Sequence, residues 1–252
     1  MGPMGGVDRV RSSFLTVTTM RAVFLTLLAS LICISVALAP GLDSGHVGRV
    51  QAQSTGGNEF IDTATHWARR QITGAVGLGF IQGYGNGRFG PDDRVTRGQF
   101  VKMLVVAEAG TLITDAEPSF VDTGEHWVHR HCYLETAVSW GIVVPGEYPD
   151  RRFQPDKEIS RLEMAVMVVR AIGQEDEAQA MQGAPLAFAD ADGVPLEYTG
   201  HVYLAAVKEI IKGYPDGCFY PDKPATRAQA VVISLRRLDA APTAGCFKHH
   251  RD

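Results

Sequence analysis

One string of motifs occurs three times in order along the chain. Phe89-Gly90-Pro91-Asp92 leads to Thr96-Arg97, Phe153-Gln154-Pro155-Asp156 to Ser160-Arg161, and Phe219-Tyr220-Pro221-Asp222 to Thr226-Arg227. Upstream, Phe60-x-Asp62, Phe120-x-Asp122 and Phe188-x-Asp190 open the three units, and His66-Trp67 and His126-Trp127 follow in the first two. Gly83-Tyr84-Gly85-Asn86-Gly87 and Gly213-Tyr214-Pro215-Asp216-Gly217 stand between these landmarks. A unit of this size has too small a core to be stable alone, so self-similarity at this period implies units that share a core.

Each unit reads as two helices joined by a rigid turn. Residues 67–78, 127–140 and 198–211 carry apolar positions at mixed three- and four-residue spacing, which suits amphipathic helices. The Gly-Tyr stretches supply turn chemistry. Thr96-Arg97-Gly98-Gln99, Ser160-Arg161-Leu162-Glu163 and Thr226-Arg227-Ala228-Gln229 each fit the capping box that starts a second helix. Arg97, Arg161 and Arg227 fall at the first helical position, where a cation costs about 0.3–1 kcal/mol against the helix dipole. A penalty repeated three times implies a partner for each guanidinium. That partner is either an aspartate such as Asp92, Asp156 or Asp222, or a carboxylate or phosphate bound by the arginine together with free helix-terminal N–H groups.

The ends have a different character. Arg9, Arg11 and Arg21 precede an apolar run over residues 22–39, the pattern of a secretory signal, with a retained anchor as its competitor. Cleavage falls after Ala39 or, avoiding Pro40, after Ala52; the latter leaves a net charge of −6 against −4 for the whole chain. An acidic balance excludes a polyelectrolyte grip on nucleic acid. Past the apolar run, Cys132, Cys218 and Cys246 are too few and odd in number for a disulfide framework.

The ordered motifs resemble the S-layer homology domain, in three tandem copies covering residues 60–238. The resemblance implies an all-α fold, a pseudo-threefold spindle in which one helix from each copy joins a central three-helix bundle. It also implies grooves between neighbouring copies that bind secondary cell-wall polymers, often through a pyruvate-ketal carboxylate facing the motif arginine. Carried onto this chain, the expected ligand-binding residues are Arg97, Arg161, Arg227, Trp67, Trp127, Gly83, Tyr84, Gly213 and Tyr214. The expected boundaries are 1–52 for signal and linker, 53–118, 119–186 and 187–239 for the repeats, and 240–252 for a tail.

The copies are unequal. Gly98 stands where the family often has alanine and should leave room for ligand. In the second copy Val144-Pro145-Gly146-Glu147-Tyr148 replaces Gly-Tyr, Arg151 replaces the loop glycine, and Leu162 is bulky, so the groove of Arg161 is expected to be degenerate. Trp67 and Trp127 open amphipathic helices, where the core is the commoner destination of a large aromatic. His126, His129 and His131 read as a solvated helix start rather than half of a metal site. Asp190-Ala191-Asp192-Gly193 reads as turn chemistry rather than a calcium loop.

No nucleophile elbow, zinc-protease helix or phosphate-binding loop occurs, so no catalytic residue, metal or cofactor is expected. The expectation is an exported, non-enzymatic protein held at the cell wall by a glycan polymer, without membrane contact once the signal is removed. The competing reading is an envelope protein that binds peptidoglycan or a protein partner, and a third is a wall enzyme.

Overall fold

A computed structural model of the chain describes residues 60–108 and 111–240. The signal, both cleavage sites, Cys246 and the tail beyond Ala240 lie outside the described residues. Contacts divide the chain into 1–52 and 53–252, and all described residues belong to the second unit.

The fold is all-α. Helix α1 is Arg69–Gly77, α2 Arg97–Ala107, α3 Trp127–Arg130, α4 Tyr133–Ser139, α5 Arg161–Ala171, α6 Glu175–Ala180, α7 Thr199–Val207 and α8 Arg227–Ala240. Strand-type pairing is confined, among the described residues, to isolated bridges. No described helix is long and apolar enough to cross a membrane.

The second helix of each repeat starts as its motif requires. Thr96 accepts from the Gln99 amide and Ser160 from that of Glu163, each with the reciprocal side-chain bond. Thr226 and Gln229 make the same exchange. The first helices depart from the expected spans. The one expected over 127–140 is broken in two by Cys132, which sits in the left-handed region at φ 62°. The one expected from Tyr198 begins at Thr199 after a 3₁₀ turn, Leu196–Tyr198. Helix α6 has no counterpart in the repeat pattern and packs on α7.

Phe-x-Asp and Phe-x-Pro-Asp form a clamp in each copy. The Asp62 carboxylate accepts the backbone N–H groups of Phe89 and Gly90 at 2.9 and 2.8 Å. Asp122 takes those of Phe153 and Gln154 at 2.9 and 2.8 Å, and Asp190 those of Phe219 and Tyr220, both at 2.7 Å. The paired phenylalanine rings lie 5.2–5.4 Å apart. The second amide in each clamp belongs to a left-handed residue, Gly90, Gln154 or Tyr220. Two bonds to one carboxylate hold Gln154 and Tyr220 where only glycine is at ease.

The repeats interlock in a ring. Helices α2, α5 and α8 touch one another and form the central bundle, and each packs on the first helix of the following copy: α2 on α4, α5 on α7, α8 on α1. Just before these helices, Ile159 N–H donates to Val95 C=O, Ala225 N–H to Ile159 C=O, and Val95 N–H to Ala225 C=O, at 3.0–3.1 Å. This closed triangle of fully buried residues joins the third copy back to the first.

Candidate functional site

Helix α5 carries Arg161 at its first position, and the side chain reaches into the next copy. Its Nε donates to the Phe219 carbonyl at 2.8 Å and Nη2 to the Lys212 carbonyl at 3.0 Å. Arg227 does the same toward the first copy, donating to Phe89 and Gln82 carbonyls, both at 3.1 Å. Arg97 donates through Nη1 to the Phe153 carbonyl at 2.8 Å, but its Nε bonds Glu163 Oε1 at 2.8 Å and Nη2 bonds the same oxygen. All three are buried, with 7%, 4% and 7% of Arg97, Arg161 and Arg227 exposed.

These contacts correct the partners expected for the motif arginine and the free N–H groups expected beside it. Asp92 and Asp156 are not its partners: they lie 3.5 and 3.2 Å from Nε2 of His66 and His126. The helix-terminal N–H groups are not free either. Those of Arg97 and Gly98 donate to Lys157 and Pro155 carbonyls, those of Arg161 and Leu162 to Lys223 and Pro221, and those of Arg227 and Ala228 to Asp93 and Pro91. What remains for a ligand is side-chain chemistry. Arg161 and Arg227 line their grooves with Nε and Nη2 donating to carbonyls and with no ion-pair partner among the described residues.

An aromatic ring lies against each guanidinium: Tyr148 at 5.4 Å from Arg97, Tyr214 at 4.6 Å from Arg161, Tyr84 at 4.9 Å from Arg227. Tyr148 was hidden from the motif comparison because two residues are inserted before it. One signal was available: Tyr84, Tyr148 and Tyr214 each precede the clamp phenylalanine by five residues. Arg151, three residues after Tyr148, adopts the left-handed conformation of Gly87 and Gly217.

Three grooves follow from this cycle, each built from all three copies. The Arg161 groove, about 130 Å³, is also lined by Gly213, Tyr214, Gln229, Arg236 and Trp67. The Arg227 groove, about 300 Å³, has Gln82, Gln99, Lys102 and Trp127. The Arg97 groove, about 210 Å³, has Glu147, Tyr148, Glu163, Arg170 and Tyr198. Trp67, expected in the core, is 62% exposed; Trp127 is half-buried against it.

The odd second copy therefore shapes the Arg97 groove, not that of Arg161, because each arginine reads the loop of its successor. Where the other copies have a capping-box glutamine, Glu163 neutralises Arg97. Arg170 at the same groove pairs with Glu147 and Glu175. Burial alone would push the Glu175 carboxyl up, but hydrogen bonds from His201 and Arg170 hold it far below the usual range. Among the described residues no carboxylate lines the other two grooves. There burial pulls the Arg161 and Arg227 guanidinium groups below their ordinary pKa, offset in part by Tyr214 and Asp190 at Arg161 and by Tyr84, Asp93 and Asp62 at Arg227.

Two of the expected glycines have a packing role. A Cβ on Gly83 would stand 2.1 Å from the Phe60 ring, and on Gly213 2.8 Å from Phe188, so both glycines make space for the clamp ring. The space at Gly98 is taken by Pro155 and Trp127, 3.2–3.5 Å from where its Cβ would be, and leaves no room for ligand. His126 is half-buried and caps α3 through Nδ1, and His129 bonds buried Glu135 at 2.9 Å, so neither is the solvated residue expected. The described residues contain no group of three or more His, Cys, Asp or Glu able to hold a metal. Asp190 holds its turn as a clamp, without a calcium loop.

Comparison with known proteins agrees with this architecture. The family model described as the S-layer homology domain matches residues 59–101, 119–165 and 187–231. The chain is 27% identical over 184 residues to a cellulosome-anchoring protein of Acetivibrio thermocellus, covering 69% of this chain and 38% of that protein. It is 32% identical over 102 residues to a surface layer protein of Brevibacillus choshinensis, covering 39% of this chain and 9% of that one. An endoglucanase of Bacillus sp. strain KSM-635 is 27% identical over 169 residues, 67% of this chain and 17% of the enzyme. The chain thus spans well under half the length of these relatives. With three matched copies, in the order and register of the clamps, capping boxes and stacked arginines, the chain belongs to the S-layer homology domain family.

Proposed function

We propose that this chain anchors at the cell wall of an exporting bacterium by binding an anionic secondary cell-wall polymer, in two of its three grooves. The observation that carries this reading is the state of Arg161 and Arg227. Each is a buried guanidinium whose Nε and Nη2 donate to neutral carbonyls, and each lines a groove in which no described carboxylate stands. Asp190 acts on Arg161, and Asp62 and Asp93 on Arg227, only through space; burying a charge without a direct ion-pair partner is costly, and a carboxylate-bearing sugar supplies one. Tyr214 with Trp67, and Tyr84 with Trp127, offer aromatic faces for the sugar ring. Arg97 already has its anion in Glu163, so its groove takes no part.

The cellulosome-anchoring and surface layer relatives support a wall-bound role. The endoglucanase's activity belongs to a protein of which this chain spans 17%, and the anchoring reading assigns no catalytic residue here. Co-sedimentation with purified walls tests the reading, comparing walls before and after extraction of their secondary polymers. Binding is expected to vanish on extraction and in the Arg161→Gln/Arg227→Gln variant, and to survive Arg97→Gln. Trp67→Ala, an exposed position that spares the fold, should weaken it. Binding indifferent to extraction and to all of these substitutions would overturn the polymer mechanism in favour of peptidoglycan or a protein partner.

A further inference from the structure

Lys212 lines the Arg161 groove but is paired with Glu209 at 3.0 Å; apart from it, the two open grooves place their second cation at different distances from the arginine–tyrosine end. In the Arg161 groove the lining stripe of α8 runs Gln229, Val232, Ile233, Arg236. At the helical rise, Arg236 stands about 10 Å along the groove from Gln229, which itself bonds Tyr214. In the Arg227 groove the stripe of α2 runs Gln99, Lys102, Met103, and Lys102 stands about 4.5 Å from Gln99. By position in the repeat, the counterpart of Arg236 is Val106 and that of Lys102 is Val232, so each groove has one of the two cations and lacks the other.

Neither cation has a carboxylate partner among the described residues. Arg236 has a long 3.5 Å contact to the Ile210 carbonyl, and Lys102 lies 5.8 Å from the Tyr133 ring. In the third groove the counterpart of Arg236 is Arg170, and there two glutamates consume it. A cation lining a ligand groove, with the acids that would neutralise it absent, is a second point of anion recognition.

Resting on the anchoring reading, we propose that the two grooves read different charge spacings along an anionic glycan. The Arg161 groove takes a disaccharide with anionic groups on both rings, through Arg161 and Arg236. The Arg227 groove takes anionic groups within one ring, through Arg227 and Lys102. Arg236 and Lys102 are thus specificity residues that set which polymer repeat each groove prefers.

Trp67 and Trp127 line different grooves, so the indole N–H signals of the ¹⁵N-tryptophan-labelled full chain report each groove separately, assigned by Trp67→Phe and Trp127→Phe. The probes are an N-acetylhexosamine disaccharide with one pyruvate-ketal carboxylate on its non-reducing ring, and the same sugar with a further carboxylate on the reducing ring. Both indoles are expected to titrate with the first probe. The second should bind about tenfold more tightly at Trp67, with little gain at Trp127. Arg236→Gln should abolish that gain while leaving affinity for the first probe and the Trp127 titration unchanged. Equal gains at both indoles, or a gain that survives Arg236→Gln, would overturn the spacing proposal alone. Failure of either sugar to move either indole would overturn the anchoring reading and this one with it.

Discussion

At the scale of single residues, the repeated aspartate does more for the fold than any other motif position. Asp62, Asp122 and Asp190 each receive two backbone N–H groups that would otherwise lie half-buried without acceptors. For Asp62 and Asp190, burial pushes the carboxyl pKa up, but the two amides outweigh it and bring the pKa below the ordinary 3.8. A folded pKa below the unfolded one means stability present above the unfolded value and lost as pH falls through the folded one. Asp190→Asn should therefore lose about 1–3 kcal/mol at pH 7 in urea melts, the deficit shrinking as pH falls below about 4. A deficit unchanged down to pH 2 would mean that the charge is not what holds the turn. Glu163 is the other decisive residue: one carboxylate oxygen completes its capping box and the other neutralises Arg97, a dual role that glutamine at 99 and 229 does not have.

At the scale of elements, the first helices are the variable part and the second helices the constant one. Capping boxes start α2, α5 and α8 alike, whereas α3 and α4 are split and α7 begins with a 3₁₀ turn. The extra α6 lies so close to α7 that a Cβ on Gly200 would be 1.9 Å from the Ala178 carbonyl oxygen. Backbone cannot yield as a flexible side chain can, so Gly200→Ala should destabilise by at least about 1–3 kcal/mol. Thermal melting by circular dichroism checks this. Gly217→Ala is the control, with open space around its Cβ position and only the strain of its positive φ. If the control falls as far as Gly200→Ala, the α6–α7 contact is not the cause.

At the scale of the whole described unit, stability belongs to the ring and to no single copy. The buried triangle of Val95, Ile159 and Ala225 and the packing of each central helix on the following copy leave every repeat incomplete alone. Near the ends of α2 and α8 the ring is tied again, where fully buried Arg237 pairs with Glu108. Breaking this pair by Arg237→Ala should cost about 3–5 kcal/mol. Because the tie spans first and third copies, the unit should still unfold in one transition, with tryptophan fluorescence and far-ultraviolet dichroism coincident. Separate transitions in the variant or its parent would show that the copies fold independently.

The number of repeats, the second helices and their caps, and the identity of the arginines were legible in the sequence, because capping and turn formation depend on neighbours within a few residues. The clamp motifs were visible as repeated letters, although their bonds span 27–32 positions and show only in the fold. What tertiary structure alone decided was which groove each arginine serves. Arg97, Arg161 and Arg227 each cross to the next copy, so the irregular second loop acts on Arg97 and spares Arg161. Trp67 was decided the same way, exposed in a groove whose arginine and tyrosine come from the second and third copies. A linear comparison aligns each residue with its equivalents, but a groove is a property of residues brought together by closure of the ring.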